Sequence, residues 1–297
     1  FKLEADDESF VVKTLTLDNE GSDIGVAAVK LAYTDSAGAA ATKTGYLSGG
    51  FVTFTGLDLA VASDSSTTLV VTVDTASVTS AAISGTSIQM SFAGTSTFKA
   101  IGSSSGETLT ASDDVPGNAM TLRKTKPTFS LASGSPSGAG VVGDSEVIRF
   151  NVAADSRGDV TVDAILFKVV TSDYLEGVDG FTDCDTLADA TKFTFYDVSN
   201  TSTKLDDNGD WSFADAGGSA CASDTALAWA ELDFTGSSTQ GSLEIGAGAT
   251  KTYVLKVDTI GASASGDDAI RIEITDEDGA TGILGGMAIS WYDGEDA

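Results

Sequence analysis

The run Asp206-Asp207-Asn208-Gly209-Asp210 carries the most pointed chemistry in the chain. It sets oxygen ligands at alternate positions, Asp206, Asn208 and Asp210, the spacing at which a calcium loop begins. Two departures weaken that reading. Trp211 stands where such a loop turns on a glycine, and no glutamate follows at the closing position. An acidic turn between two strands is the plainer account and calcium the sharper one. The run Asp276-Glu277-Asp278-Gly279 divides in the same way, between a hairpin turn and a place where crowded carboxylates would be relieved by calcium. No other cofactor is indicated.

Catalysis has little to work with. The chain contains no histidine, which removes the commonest general base, the commonest zinc ligand and the usual near-neutral proton switch together. Serine and threonine are plentiful, yet no Gly-x-Ser-x-Gly elbow joins a strand to a helix and no glycine-rich loop opens a helix for phosphate. With 44 Asp and Glu some close carboxylate pairs of the glycosidase kind must exist, but the spacing singles none out. The expectation is a protein that is not an enzyme. Trp211, Trp229 and Trp291 could stack on sugar rings; in a two-domain β protein, tryptophans more often anchor cores or interfaces.

Cys184 and Cys221 are the only cysteines. In an exported protein an isolated pair is most simply one disulfide; two free buried thiols are the other reading. Asn200-Thr201-Ser202 matches the acceptor pattern for N-linked sugar, a short pattern that also arises by chance. The dense serine and threonine content would also allow O-linked glycans.

At 297 residues the chain is about twice a common domain length, so two domains are expected. Apolar residues make up 41%, enough for packed cores. Small and β-branched residues with 33 Gly suit many short strands and tight turns. The net charge of −28 repels phosphate, so nucleic acid and anionic lipid are disfavoured partners. Such a surface favours solubility and self-repulsion at a cell exterior. No run approaches the ~20 apolar residues of a membrane span. The chain begins at Phe1 without a leader, as a mature form or a piece of a longer precursor would. The expected location is secreted, extracellular or at the cell surface.

Apolar residues alternate in Leu69-Val71-Val73, Ile88-Met90-Phe92 and Ile270-Ile272-Ile274, and less regularly in Phe10-Val12-Leu15-Leu17 and in Val26-Ala28 running into Val29-Leu31-Tyr33. Alternation of this kind marks strands with one face on a core and one in water. Turn residues fill the gaps and no helix-sized crossovers separate the strands, so the sheets should be antiparallel. Phe54-Thr55-Gly56 followed by Thr68 to Thr75 resembles Phe234-Thr235-Gly236 followed by Thr252 to Thr259, each ending in Val-Asp-Thr. The segments before them also match, 11–17 and 26–33 with 147–152 and 160–169, which indicates an internal duplication. Arg123-Lys124-Thr125-Lys126-Pro127 gathers three cations and a proline, and places the boundary between domains 1–125 and 126–297. The second half owns a leading segment, 128–139, with no counterpart before Phe1.

This order of elements resembles tandem immunoglobulin-like or cohesin-like modules of prokaryotic surface-layer proteins, adhesins and extracellular filaments. The resemblance implies an all-β chain of two tandem antiparallel β-sandwich domains, with the disulfide in an insertion of the second. It also implies a structural subunit whose partner is itself, as a filament or surface layer. An adhesin or carbohydrate-binding module, with glycans as partners, is the alternative. The unmatched leading segment raises the expectation that subunits join by donor-strand exchange, with residues 1–5 or 283–291 completing a neighbour's sandwich.

Overall fold

The computed structural model describes residues 1–79, 83–93, 98–110, 114–138, 143–172, 184–221, 227–235, 241–259, 269–275 and 289–293. Gly236 of the repeat, the acidic run 276–279 and most of the segment from 283 to 291 lie outside the described residues. Two compact units divide the chain, Phe1–Lys124 and a second that starts at Thr125.

The first unit begins with β1 (Lys2–Ala5), β2 (Phe10–Asn19), β3 (Val26–Thr34), β4 (Ala40–Gly45), β5 (Phe51–Val61) and β6 (Ser65–Thr68). It continues with β7 (Val70–Thr75), β8 (Ser87–Ile88), β9 (Met90–Phe92), β10 (Lys99–Gly102), β11 (Thr108–Leu109) and β12 (Met120–Thr121). The second unit opens with β13 (Pro127–Leu131), β14 (Asp144–Ala154), β15 (Val160–Ser172), the single turn α1 (Cys184–Leu187), β16 (Phe193–Asp197) and β17 (Trp211–Asp215). Then come β18 (Leu227–Asp233), β19 (Leu243–Ile245), β20 (Thr250–Asp258), β21 (Ala269–Ile274) and β22 (Ser290–Tyr292). Every strand pairing among the described residues is antiparallel. The chain is therefore all-β, as its composition and alternation imply.

In the first unit β5 lines one edge of β2, while β10 and β9 share the other. A second sheet has the order β4-β3-β7. Val12, Leu15 and Leu17 of β2, Leu57 and Leu59 of β5, and Val29 and Leu31 of β3 meet in one core, a sandwich-like arrangement. The second unit sets the sheet β13-β14-β20-β16 against one built around β15. β18 and β19 follow one another along one edge of β15, and β21 and β22 along the other. Phe150 of β14 sits in the middle of this core, with ring centroids 6.1 Å from Phe167 of β15 and 6.0 Å from Tyr253 of β20.

The irregular alternations have a structural cause. Along β2 the core positions run Val12, Leu15, Leu17, and along β5 they run Val52, Phe54, Leu57, Leu59. Each strand slips parity once, at the same level, because the pairing jumps from Val12–Leu59 to Thr14–Thr55. This bulge is centred on Gly56, whose φ of +59° suits glycine and costs other residues. Lys43 Nζ donates to the carbonyls of Thr55 and Gly56, at 2.5 and 2.8 Å, so the carbonyls freed from the ladder are not left unpaired. Lys13 donates to Asp58 at 2.7 Å and clamps the two strands at the same place. The change of phase between Ala28 and Val29 has the same origin, a register shift between Val26 and Ala28 against β7.

Strand pairing departs from the sequence expectation in two places, and the leading segment of the second unit finds a partner of its own. Ile88-Met90-Phe92 is not one strand: it divides at Gln89 into β8, paired with β12, and β9, paired with β2. Asn19 Oδ1 accepts the Gln89 amide and so replaces a ladder bond at the break. The matching repeat segments do not pair alike. β7 lies on β3, whereas its counterpart β20 lies between β14 and β16. Alternation records which face of a strand is apolar, not which edge finds a partner, so a shared strand order did not carry a shared topology. Finally, the leading segment of the second unit is β13, on the edge of β14, whereas the matching strand of the first unit, β2, has partners along both edges. β1 pairs within its own unit with β6, Phe1 and Leu69 exchanging bonds of 2.8 Å.

Candidate site in the disulfide-closed segment

Cys184 and Cys221 form the expected disulfide, with Cα atoms 5.1 Å apart and a sequence separation of 37. Cys184 is fully buried in the turn α1 and Leu187 packs beside it in the core. The bridge closes the segment that carries β16, the Asn200 acceptor pattern, the acidic run and β17. β16 belongs to one sheet of the unit and β17 to the other. The cross-link therefore holds together a stretch of chain that passes from sheet to sheet.

Asp206 is the pivot of this stretch and is almost wholly buried, with 2% of its surface exposed. Its Oδ1 accepts the amide of Phe195 at 2.6 Å, and its Oδ2 accepts the indole N–H of Trp211 at 3.0 Å. Lys204 Nζ lies 3.6 Å from Oδ2 and supplies the counter-charge. The amide of Leu205 donates to the carbonyl of Phe195 at 2.8 Å. β16 is the last strand of its sheet, so these bonds close an edge that would otherwise present unpaired backbone. A buried carboxylate needs such partners, since an unpaired one costs several kcal/mol.

The rest of the run folds as a tight turn. The Asp207 amide donates to Asp210 Oδ2 at 2.7 Å, and the Asp210 amide donates to the Asp207 carbonyl at 3.0 Å. Asn208 is exposed, while Asp206 and Asp210 are buried. Both oxygens of Asp206 are thus engaged by protein donors. Among the described residues no three acidic or cysteine side chains are grouped so as to hold a metal. Trp211 then stacks in the core, 5.2 Å from Phe193 and 6.1 Å from Phe213. Trp229 is buried too, under Lys168 whose Nζ lies 5.7 Å from its ring, and Trp291 is half-buried against the same core as Trp211.

The tip between β16 and the acidic run holds Asn200. Residues 199 to 203 are all exposed. Asp197 folds the tip by accepting the Ser199 amide at 2.8 Å and its hydroxyl at 2.7 Å, and the Asn200 amide donates to the Asp197 carbonyl at 2.9 Å. Ser202 Oγ donates to Asn200 Oδ1 at 2.7 Å. Below the tip the phenol of Tyr253 is held well above its ordinary range, by burial first and then by the nearby Asp197 carboxylate.

A second acidic group lies in the first unit and was not evident in the sequence. Burial raises the carboxyl of Asp18, and the charges of Glu20, Asp114 and Asp23 raise it further. Asp23 is itself committed, accepting from Asn19 Nδ2 at 3.0 Å and the Gly50 amide at 2.9 Å. Asp18, Glu20 and Asp23 are close in sequence, but Asp114 arrives through a remote segment that no local pattern announces.

No helix among the described residues is long and apolar enough to cross a membrane. The disulfide fits an oxidising environment. No family model matches the sequence, and neither a curated protein nor a solved structure matches it.

Proposed function

We propose that this chain is a secreted structural subunit that assembles with copies of itself into a filament or surface layer, and that it is not an enzyme. The observation that carries this reading is β7. It is the terminal strand of the sheet β4-β3-β7 and reads Val-Val-Thr-Val-Asp-Thr, without proline and without charge before Asp74. Val70 on this strand is 52% exposed. Soluble proteins usually blunt such an edge with lysine, proline or a bulge; along β7 the register shift against β3 falls only at its last residues, Asp74 and Thr75, and an edge that receives a strand from a neighbour must stay open.

We also read the second unit as immunoglobulin-like, which would agree with the proposal, although among the described residues β22 pairs with β15 and not with β21. Its sheet order β13-β14-β20-β16 matches the A-B-E-D order of that sandwich, with β15 and β21 in the places of C and F. On this identification β17 to β19, which lie between β16 and β20 in the chain, are additional strands, and the disulfide ties the turn α1 before β16 to the chain after β17. The segment 1–5 is already paired within its own unit, so we place the contact between subunits at a sheet edge and not at a donated N-terminal strand.

Sedimentation and negative-stain microscopy of the full chain test the proposal. With a charge of −28 per subunit, association should be weak at low ionic strength and strengthen as salt or a divalent cation screens the repulsion. Monomers at all salt and protein concentrations would refute it. A second reading, a sugar-binding surface module, draws on Tyr46 and Phe51. These exposed aromatics flank the turn at Gly49 and Gly50, with Tyr46 72% exposed. Binding to arrayed glycans that is lost on replacing Tyr46 would favour it.

A further inference from the structure

We propose that Asn200 is a site of N-linked glycosylation, an inference that needs export of the protein but not its self-assembly. The chain has five asparagines, and Asn200 alone is followed two residues later by serine or threonine. Asn118 and Asn208 are also exposed, yet Met120 and Asp210 stand where the hydroxyl is needed. The acceptor pattern coincides with the exposed run 199–203, so an approaching enzyme meets a projecting turn and not a strand.

The geometry within the turn matches the chemistry that the pattern serves. An amide nitrogen is a poor nucleophile because its lone pair is delocalised into the carbonyl. Ser202 Oγ donates to Asn200 Oδ1 at 2.7 Å, which stabilises the charge that builds on that oxygen as Nδ2 gives up a proton. Nδ2 itself makes only a long contact of 3.3 Å to Thr203 Oγ1, which is easily exchanged for a new bond. The start of the turn is held by Asp197, through Ser199 and the Asn200 amide, without the Asn200 side chain. Modification of Nδ2 therefore leaves the Asp197 bonds that start the turn in place.

The co-reactant is a lipid-linked glycosyl phosphate or pyrophosphate. A bond forms between Asn200 Nδ2 and the anomeric carbon of the glycan as the bond from that carbon to the phosphate oxygen breaks. The lipid phosphate leaves with the electron pair, and the Nδ2 proton passes to a base of the transferase. No oxidation or reduction takes place. The sugar would stand on the exposed tip beyond β16.

Peptide mapping by electron-transfer mass spectrometry, on the full chain isolated from the cells that make it, decides the matter. The peptide containing Asn200 should carry a glycan mass in at least half of the molecules, and the peptides with Asn118 and Asn208 should carry none. Expressed in the same cells, Asn200→Gln and Ser202→Ala should each lower occupancy at this site at least tenfold, whereas Ser202→Thr should keep it. A bare Asn200 in the native material would overturn the proposal. So would a glycan that survives Ser202→Ala, because the hydroxyl would then play no part.

Discussion

Asp206 and Trp211, five residues apart and both buried, are joined by a 3.0 Å bond from the indole N–H to a carboxylate oxygen. The same carboxylate accepts the Phe195 amide through its other oxygen. One side chain thereby fixes the orientation of a core ring and seals the edge of β16. Asp206 and Asp210, two of the three residues with the spacing of metal ligands, here accept from protein donors. Trp211, the residue that breaks the calcium pattern in the sequence, is one of the groups that Asp206 serves.

Removing that carboxylate should be costly. Asp206→Ala leaves two buried donors without an acceptor, at about 1–3 kcal/mol each. Asp206→Asn keeps one acceptor oxygen and should cost less. All three tryptophans lie beyond position 200, in the second unit, so their fluorescence follows that unit's unfolding in urea. The expected order of stability is wild type, then Asn, then Ala. Because both Asp206 oxygens are engaged, adding EDTA should leave the midpoint unchanged. A clear fall with chelator would show that the run binds calcium after all.

The Cys184–Cys221 bridge closes a loop of 37 positions. In the chain-entropy picture such a loop contributes about 3–4 kcal/mol by restricting the unfolded chain. Alkylation without reductant should modify neither cysteine, and full alkylation should need both denaturant and reductant, since Cys184 has no exposed surface. The reduced protein should unfold at lower urea by tryptophan fluorescence. Two thiols that react at once in the untreated protein would contradict the bridge.

The class of fold was legible in the sequence because it rests on short-range chemistry. Alternating Val, Ile and Leu with Gly and Asp turns leaves few options besides antiparallel strands. The parity slip at Val12 to Leu15 even marks a bulge, although only the facing slip between Phe54 and Leu57 shows that it is a bulge and not a strand end. Pairing was not legible. Ile88, Met90 and Phe92 alternate without a fault and are all buried, yet they serve two sheets. The break depends on Asn19, some 70 residues away, accepting the Gln89 amide. Asp206 was picked out for its oxygens, and the reason for its burial lies in Phe195 and Trp211, which no spacing rule connects to it.

Two glycines should respond to alanine for different reasons. A Cβ on Gly21 would lie 2.1 Å from the backbone oxygen of Ser87, so one strand segment must move, at about 3 kcal/mol. A Cβ on Gly56 would make only an ordinary 3.6 Å contact with Lys43 Nζ. Its cost is the left-handed backbone alone, about 1–2 kcal/mol. Circular dichroism melts should show both losses, with Gly21→Ala the larger, while tryptophan fluorescence of the second unit changes little.

Asp18 should give a pH signature of opposite sign to an ordinary salt-bridged carboxylate. Its folded-state pKa is raised, by burial and by Glu20, Asp114 and Asp23. Ionising it therefore costs more in the folded chain than in the unfolded one, and the penalty is present above the folded pKa. It disappears as pH falls below the unfolded value, about 3.9. Asp18→Asn should accordingly stabilise the first unit at pH 7, by about 0.5 kcal/mol given the group's exposure to solvent. The gain should shrink towards zero by about pH 3.5 and should also shrink in high salt. A variant less stable than wild type at pH 7 would mean that Asp18 does more for the fold by hydrogen bonding than it costs by charge.

The last prediction concerns the open edge at β7. Val71 and Val73 face the core of the first unit, and Asp74 is paired with Lys30 of β3 at 2.7 Å, so these side chains cannot be changed without touching the fold. Val70 is different. It begins the strand, is largely exposed, and its backbone pairs with Ala32 of β3. Val70→Lys should leave the monomer's circular dichroism and melting point within about 0.5 kcal/mol of wild type, as expected for a surface substitution. The same change places a hydrated charge where a neighbour's strand would have to dock, a device that natural edge strands use against pairing. Assembly observed for the wild-type chain should then fall at least tenfold in sedimentation at equal protein concentration. Val70→Thr keeps the β-branched shape without the charge and should assemble nearly as well as wild type. If Val70→Lys assembles like wild type, subunits do not meet along β7. The contact would then lie at another terminal strand, of which β13 is the next to test, because its last residue, Leu131, is 71% exposed.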